Sequence, residues 1–335
     1  MELASASTGA ARTPARAAVI VSLLFYVALL GVGWWSLTTW IPDHLAFTAF
    51  GRHVVLGEIH RRIVNNGLVL FLILPSTLWL ECAIVGWNRS SARQLLFAQT
   101  PSARSDLACL FAGQAHLLDI AGRFLTLGAA IVSGLLIHGW LKSSFGVVLS
   151  LAPLPLALQV VAYFFVYTFF DYWTHRLDHT RYFWPLHRYH HSAREFYVVT
   201  AVRVHPATFT GTFLINLPMA VLGASPAVLI YVNTLVIAIG FLIHSRIDSD
   251  WGWIGRYVVQ SPTHHRLHHV LDTTEPTGHF SIAPVWDHLF GTWRGDADQS
   301  LPIGVDTPYR HGLWLVPDLL RDYWDFWKGI FRRRP

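Results

Sequence analysis

Twelve of the 19 histidines in this chain lie between residues 175 and 279, and they recur at fixed spacings. The first group reads HRLDH and sets His175 and His179 four apart. The second reads HRYHH, with His187, His190 and His191 at i, i+3 and i+4. The third reads HHRLHH, in which His265, His268 and His269 repeat the second spacing behind His264. Residues three or four apart share one face of a helix, so each group can aim two or three imidazoles at one point. Neutral imidazole is the commonest metal ligand and suits iron, zinc, copper and nickel. Three groups offer more nitrogens than one ion can hold, so two metals are implied.

Other metal chemistries fit less well. A structural zinc site needs only four ligands and usually includes cysteine. The two cysteines, Cys82 and Cys109, lie far from the histidine groups. A hydrolytic HExxH site needs Glu beside its first histidine, where this chain has Arg176. A mononuclear iron site of two histidines and one carboxylate would leave most of these histidines unused. An all-histidine dimetal site is the better fit. His44, His53, His60, His116 and His311 read as ordinary surface or packed residues, and His138 as a polar contact between helices.

The elements that position these groups are apolar. The chain is 53% hydrophobic and 13% charged, unlike an ordinary soluble domain. Residues 17–40, 124–141 and 145–170 are nearly or wholly uncharged runs, and 67–80 is a shorter one. The first run is too long for a typical signal-peptide core and is expected to remain as a membrane helix. Residues 207–243 are uncharged, too long for one crossing, and broken by LGASP at 222–226. They are expected to form a helical hairpin that spans fully or dips in and returns. The expected fold is all-α: an integral-membrane helical bundle of four to six segments with a cytoplasmic histidine-bearing cap.

The net charge is +5, carried almost wholly by scattered arginines, since Lys142 and Lys328 are the only lysines. No basic face for nucleic acid is evident. The arginine bias suits a bacterial genome and hence a bacterial cytoplasmic membrane. The tail 313–335 mixes Trp324, Trp327 and Phe331 with Arg332–Arg334, a composition suited to a helix at headgroup level. Residues 1–16 read as a disordered start.

The stretch DYWTHRLDHTRYFWPLHRYHHSAREFYVVTAVRVHP at 171–206 resembles the fatty acid hydroxylase / sterol desaturase superfamily. So do SPTHHRLHH at 261–269 and WDHLFGTW at 286–293. The motifs occur in the family's order over roughly 160–295. The resemblance implies a membrane di-iron oxygenase that uses O2 to hydroxylate or desaturate an unactivated C–H bond of a lipid. It assigns the catalytic domain to 145–312, after N-terminal transmembrane helices at 17–141.

The resemblance also assigns the ligands: His175, His179, His187, His190, His191, His265, His268 and His269, with His244 as a ninth. His264 and His279 are further candidates. Ligating histidines usually donate their second ring N–H to an outer acceptor. Asp287 and Asp178 are the foremost carboxylates for that role, with Asp171 and Asp248 also near. His205, in the family-like RxHP, reads as an outer partner or a structural residue. With no flavin, haem or iron–sulfur motif, electrons must come from a partner. A ferredoxin, a rubredoxin, a cytochrome b5-like protein or a reduced pterin would serve. One branch of the family, similar in its HS and SPTHHRLHH strings, cleaves ether lipids; a non-catalytic metal-binding membrane protein is the alternative from another class.

Overall fold

The structure is a computed structural model that describes residues 16–49, 52–60, 72–114, 123–146, 150–271, 278–295, 301–312 and 315–331. The expected disordered start and Arg332–Arg334 lie outside these residues, apart from Arg16. The chain divides into two units, Met1–Leu96 and Phe97–Pro335.

In the first unit the uncharged run forms α1 (Arg16–Trp40). Trp79 of α2 (Leu74–Val85) donates to Ser22 Oγ at 2.8 Å and joins the two helices. Glu81, within an apolar helix, is fully buried. Its carboxylate accepts from Ser91 N at 2.5 Å and Ser91 Oγ at 2.7 Å, at the start of α3 (Ser91–Phe97), so its burial is compensated. One feature departs from an all-α fold. Strands β1 (Leu45–Ala49) and β2 (Arg52–Leu56) pair antiparallel, with Phe47 opposite Val54. Aromatic and β-branched residues on both sides of Phe50–Gly51 favour a pleated pair over a helix.

The second unit is helical. It begins with α4 (Pro101–Gln114) and α5 (Arg123–Phe145). The apolar run at 145–170 does not form one helix. α6 spans Leu156–Asp178, because Pro153 and Pro155 are tolerated only before or at a helix start. α6 then continues past the apolar run and carries His175 out to its last turn, with His179 as C-cap. Next comes α7 (Trp184–His191), opened by Pro185 in its first turn.

The long uncharged segment is a hairpin of α8 (Phe209–Val221) and α9 (Pro226–Ile243). Gly223 turns the chain at φ 75, and Ser225 Oγ caps Val228 N at 3.3 Å. α8 has 13 residues, about 20 Å of helix. α5 lies close against it at Gly134, where a Cβ would sit 2.3 Å from that of Ala220. His138 of α5 donates from Nδ1 to the Val221 carbonyl at 2.9 Å, a contact between helices. Beyond the hairpin come α10 (Gly252–Tyr257), α11 (Pro262–His268), α12 (Val285–Leu289) and α13 (Leu315–Phe331).

Phe164 of α6, Ile239 and Ile243 of α9, and Ala283 form a buried cluster that ties these elements together. Phe169, further along α6, sits edge-on to Trp286. Among the described residues two helices are long and apolar enough to cross a membrane, Val19–Trp40 and Leu156–Asp178. α8 and α9 are each shorter, and the apolar run expected at 67–80 lies partly outside the described residues.

Candidate metal centre

Four helix ends meet at the site: the C-terminus of α6, α7, the C-terminus of α9, and α11. His175, His179, His187, His191 and His268 bring ligand atoms within 4.8 Å of one another. His190, His244, His265 and His269 form a second such set. α7 gives its i, i+4 pair, His187 and His191, to the first set and His190 to the second. α11 does the reverse: His265 and His269 enter the second set and His268 the first. α6 adds two rings to one set and the end of α9 adds one to the other, giving five and four. The sets touch where the His191 and His269 rings stack at 4.2 Å.

The proton positions follow from the acceptors. His175 Nδ1 lies 2.6 Å from the Phe280 carbonyl, and His268 Nδ1 2.7 Å from that of Gly278. His190 Nδ1 meets the Arg203 carbonyl at 3.2 Å, and His244 Nδ1 that of Gly240 at 2.7 Å. A carbonyl only accepts, so each Nδ1 carries the proton and a neutral ring leaves Nε2 as a bare lone pair. His175 and His268 then point two bare Nε2 atoms at each other 3.0 Å apart. His244 and His265 do so at 2.9 Å. Lone pairs at that distance repel unless a cation lies among them.

Two further observations fit the same cation. Among the described residues four buried side-chain polar atoms have no hydrogen-bond partner, and three of them are His179 Nε2 and both ring nitrogens of His269. Such orphans are costly unless coordinated. Burial also holds His179, His187, His190, His191, His265, His268 and His269 well below the usual imidazole range, and neighbouring imidazoles add to this in each case. His244 is lowered to about 4, chiefly by burial. The rings are therefore neutral, the form that binds metal. Nine neutral nitrogens without a carboxylate among them suit iron, zinc, copper or nickel better than calcium or magnesium.

His264 and His279 fall outside both sets. His264 Nδ1 pairs with Ser261 Oγ at 2.7 Å, and its ring lies 4.6 Å from Trp293. His279 packs on the same Trp293 at 4.5 Å. Adjacency in sequence misleads here, because His264 and His265 are 100° apart around α11. Asp178 faces His187 Nδ1 at 3.9 Å, beyond hydrogen-bond length. Asp287 accepts from the N–H groups of Phe280 and Ser281 and from Thr292 Oγ1, at 2.8, 3.0 and 2.7 Å. It reaches His175 only through the peptide whose carbonyl that histidine uses. His205 spends both nitrogens elsewhere: Nε2 donates to Leu319 O at 2.9 Å and Nδ1 accepts from Ala207 N. It fastens α13 and does not support a ligand.

Two outer partners were missed from the sequence. Gln260 is buried; its Nε2 donates to the His279 carbonyl at 2.9 Å, which turns Oε1 toward His265 Nδ1 at 3.0 Å. Its only sequence signal is a polar residue immediately before SPTHHRLHH. Arg203 lends its carbonyl to His190 while its side chain is locked in the core. Nε donates to Asp106 Oδ1 at 2.6 Å and Nη2 to Ser102 O at 2.6 Å, both on α4. Nothing in the local sequence of α4 marks it as a support for the histidines. Aromatic rings cover both sets. Trp184 lies 5.2 Å from His179 and from His191, and Phe196 lies 4.9 Å from His269.

Residues 160–292 match the family described as fatty acid hydroxylase. The chain carries a fatty acid hydroxylase domain. All nine gathered histidines, Gln260 and Asp287 fall within it, and α4 and α13 lie outside. An ornithine lipid hydroxylase OlsE from Rhizobium tropici is 31% identical over 155 residues, 45% of this chain and 46% of that protein. An alkylglycerol monooxygenase from Danio rerio is 26% identical over 175 residues, 47% of this chain and 39% of the relative. The human alkylglycerol monooxygenase is 25% identical over the same length. The match spans less than half the length of each of these curated relatives. No solved structure matches the chain.

Proposed function

We propose that this chain is an integral-membrane lipid monooxygenase. It inserts one atom of O2 into an unactivated C–H bond of a lipid, at two iron ions held by the nine histidines. The observation that carries the reading is the pair of converging Nε2 sets inside a fatty acid hydroxylase domain. His175, His179, His187, His191 and His268 would hold one ion, and His190, His244, His265 and His269 the other. When bound, the ions supply the O2 activation that no side chain here can supply.

The protein's own part is positioning. Carbonyls and Gln260 fix the Nδ1 protons, so the Nε2 lone pairs face inward before any metal arrives. Trp184, Phe196 and Phe280 wall the sets and exclude water that would compete with a C–H bond. Overall, one oxygen atom becomes the hydroxyl and the other leaves as water. Two electrons and two protons come from a separate donor: a ferredoxin, a rubredoxin, a cytochrome b5-like protein or a reduced pterin.

The membrane reading rests on α1 and α6 as crossings. The α8–α9 hairpin dips in and returns, because α8 is short against about 30 Å of hydrocarbon. Both ends of that hairpin then emerge on one face, as the meeting of His190 with His244 requires. We place that face in the cytoplasm of a bacterial cell. The alkylglycerol monooxygenase relatives favour a second reading of the reaction, hydroxylation beside an ether oxygen followed by cleavage.

Expression under isotopically labelled oxygen, followed by lipid mass spectrometry, tests the proposal. The expected product is a lipid heavier by one labelled oxygen atom; release of a fatty aldehyde would select the ether reading. Unchanged lipids in cells whose purified protein carries its full metal load would overturn the oxygenase.

A further inference from the structure

The last described helix, α13 (Leu315–Phe331), buries two of its carboxylates alongside Leu315 and Leu319. Its carboxylates face the protein. Asp322 is fully buried and takes Arg188 Nη2 at 2.6 Å and Tyr309 OH at 2.6 Å. Asp318 is buried beside Arg321, and Asp325 also holds Arg188. The opposite face is apolar and bare: Leu320 is 61% exposed, Trp324 60% and Phe331 74%, with Val316 and Ile330 exposed beside them. Positions 316, 320, 324 and 331 follow helical spacing, so this is one continuous stripe. A contiguous exposed apolar stripe of this kind marks an interaction surface.

We propose that the outer face of α13 is a docking surface for an anionic lipid bilayer, with the helix lying in the headgroup plane. The inference rests on the membrane setting proposed above and adds a site on the fold that the crossings do not include. Charge selects this occupant. Lys328 lies over the Trp324 ring at 5.4 Å, and the sequence continues directly into Arg332, Arg333 and Arg334. An exposed cation over an aromatic ring, with three further cations next in the sequence, suits an interface whose headgroups are negative. The seat is also tied to the metal centre. Arg188, gripped by Asp322 and Asp325, belongs to α7 between His187 and His190. Bilayer contact along α13 therefore steadies the helix that feeds both histidine sets.

The test uses the full chain in nanodiscs, spin-labelled through Leu320→Cys or Phe331→Cys with Cys82 and Cys109 replaced by serine. Metal content and product formation are followed in parallel. In discs containing phosphatidylglycerol, both labels should collide more with lipid-dissolved oxygen than with an aqueous nickel chelate. The immersion should weaken in purely zwitterionic discs and in the variant Lys328→Glu. Labels open to the aqueous chelate in anionic discs would overturn the proposal, as would label–label broadening from a second copy or immersion indifferent to lipid charge. Those results leave the oxygenase reading standing if product still forms. A chain that enters no bilayer at all would remove the membrane setting itself.

Discussion

A single peptide group joins Asp287 to His175. The Phe280 carbonyl accepts from His175 Nδ1 at 2.6 Å, and the Ser281 N–H of that same peptide donates to Asp287 Oδ2 at 3.0 Å. A carboxylate at one end of a peptide polarises the carbonyl at the other, so the negative charge supports His175 without touching it. Asp287→Ala leaves two buried N–H groups without their acceptor, at a cost of about 1–3 kcal/mol each. The variant should melt lower and bind metal more weakly in the five-histidine set. Unchanged chelator resistance in folded Asp287→Ala would show that the relay does not matter to His175.

The division of the histidines predicts separable metals. Elemental analysis of the gently solubilised protein should find about two metal ions per chain. Because His179 serves one set and His244 the other, His179→Ala and His244→Ala should each lower the content toward one. Each should abolish turnover while leaving the membrane helices folded, since those satisfy their own backbone groups. Loss of both ions from either single variant would mean that the sets form one cooperative site.

Gln260 offers a sharper test, because it touches no metal. Gln260→Leu removes the acceptor of His265 Nδ1 and the donor to the His279 carbonyl. Loss of such an outer partner typically costs about 10–100-fold in metal affinity. The loss should fall on the four-histidine set alone, read by competition with a chelator. Equal weakening of both sets would point to general unfolding.

Asp106 lies outside the fatty acid hydroxylase match yet pins Arg203, whose carbonyl holds His190. Asp106→Ala strands a fully buried guanidinium, which should destabilise the fold by about 3–5 kcal/mol. Arg203→Met with Asp106→Leu removes both charges and should recover much of that stability. A melt unaffected by Asp106→Ala would show that α4 is no support for the site.

The buried imidazoles also set a pH dependence. Their folded-state pKa values lie below the ordinary 6.5, His244 at about 4, so the unfolded chain binds more protons between those limits. Stability of the metal-free protein is fully present above about 6.5 and falls as pH drops toward 4. Melting temperatures across pH 5 to 8 should decline only on the acid side. A flat profile would contradict neutral, buried rings.

The spacing within the three groups picked out eight of the nine rings that meet, because i, i+3 and i+4 neighbours share a helix face wherever the helix goes, whereas His244, which stands alone in the chain, came only from the family resemblance. The break at 222–226 was legible for a similar reason, since Gly223, Ser225 and Pro226 act on their own backbone. Which ring joins which set was not legible. It depends on how α7 and α11 cross, and that crossing sends His190 and His268 away from their own neighbours. The exclusion of His264 and His279 has the same origin: Trp293 claims them from across the fold. The partners of the Nδ1 protons are mostly backbone carbonyls, which every residue has and no motif records. Only tertiary packing decides which carbonyls reach the rings, and it alone placed the carboxylates of α13 inward and Trp324 outward.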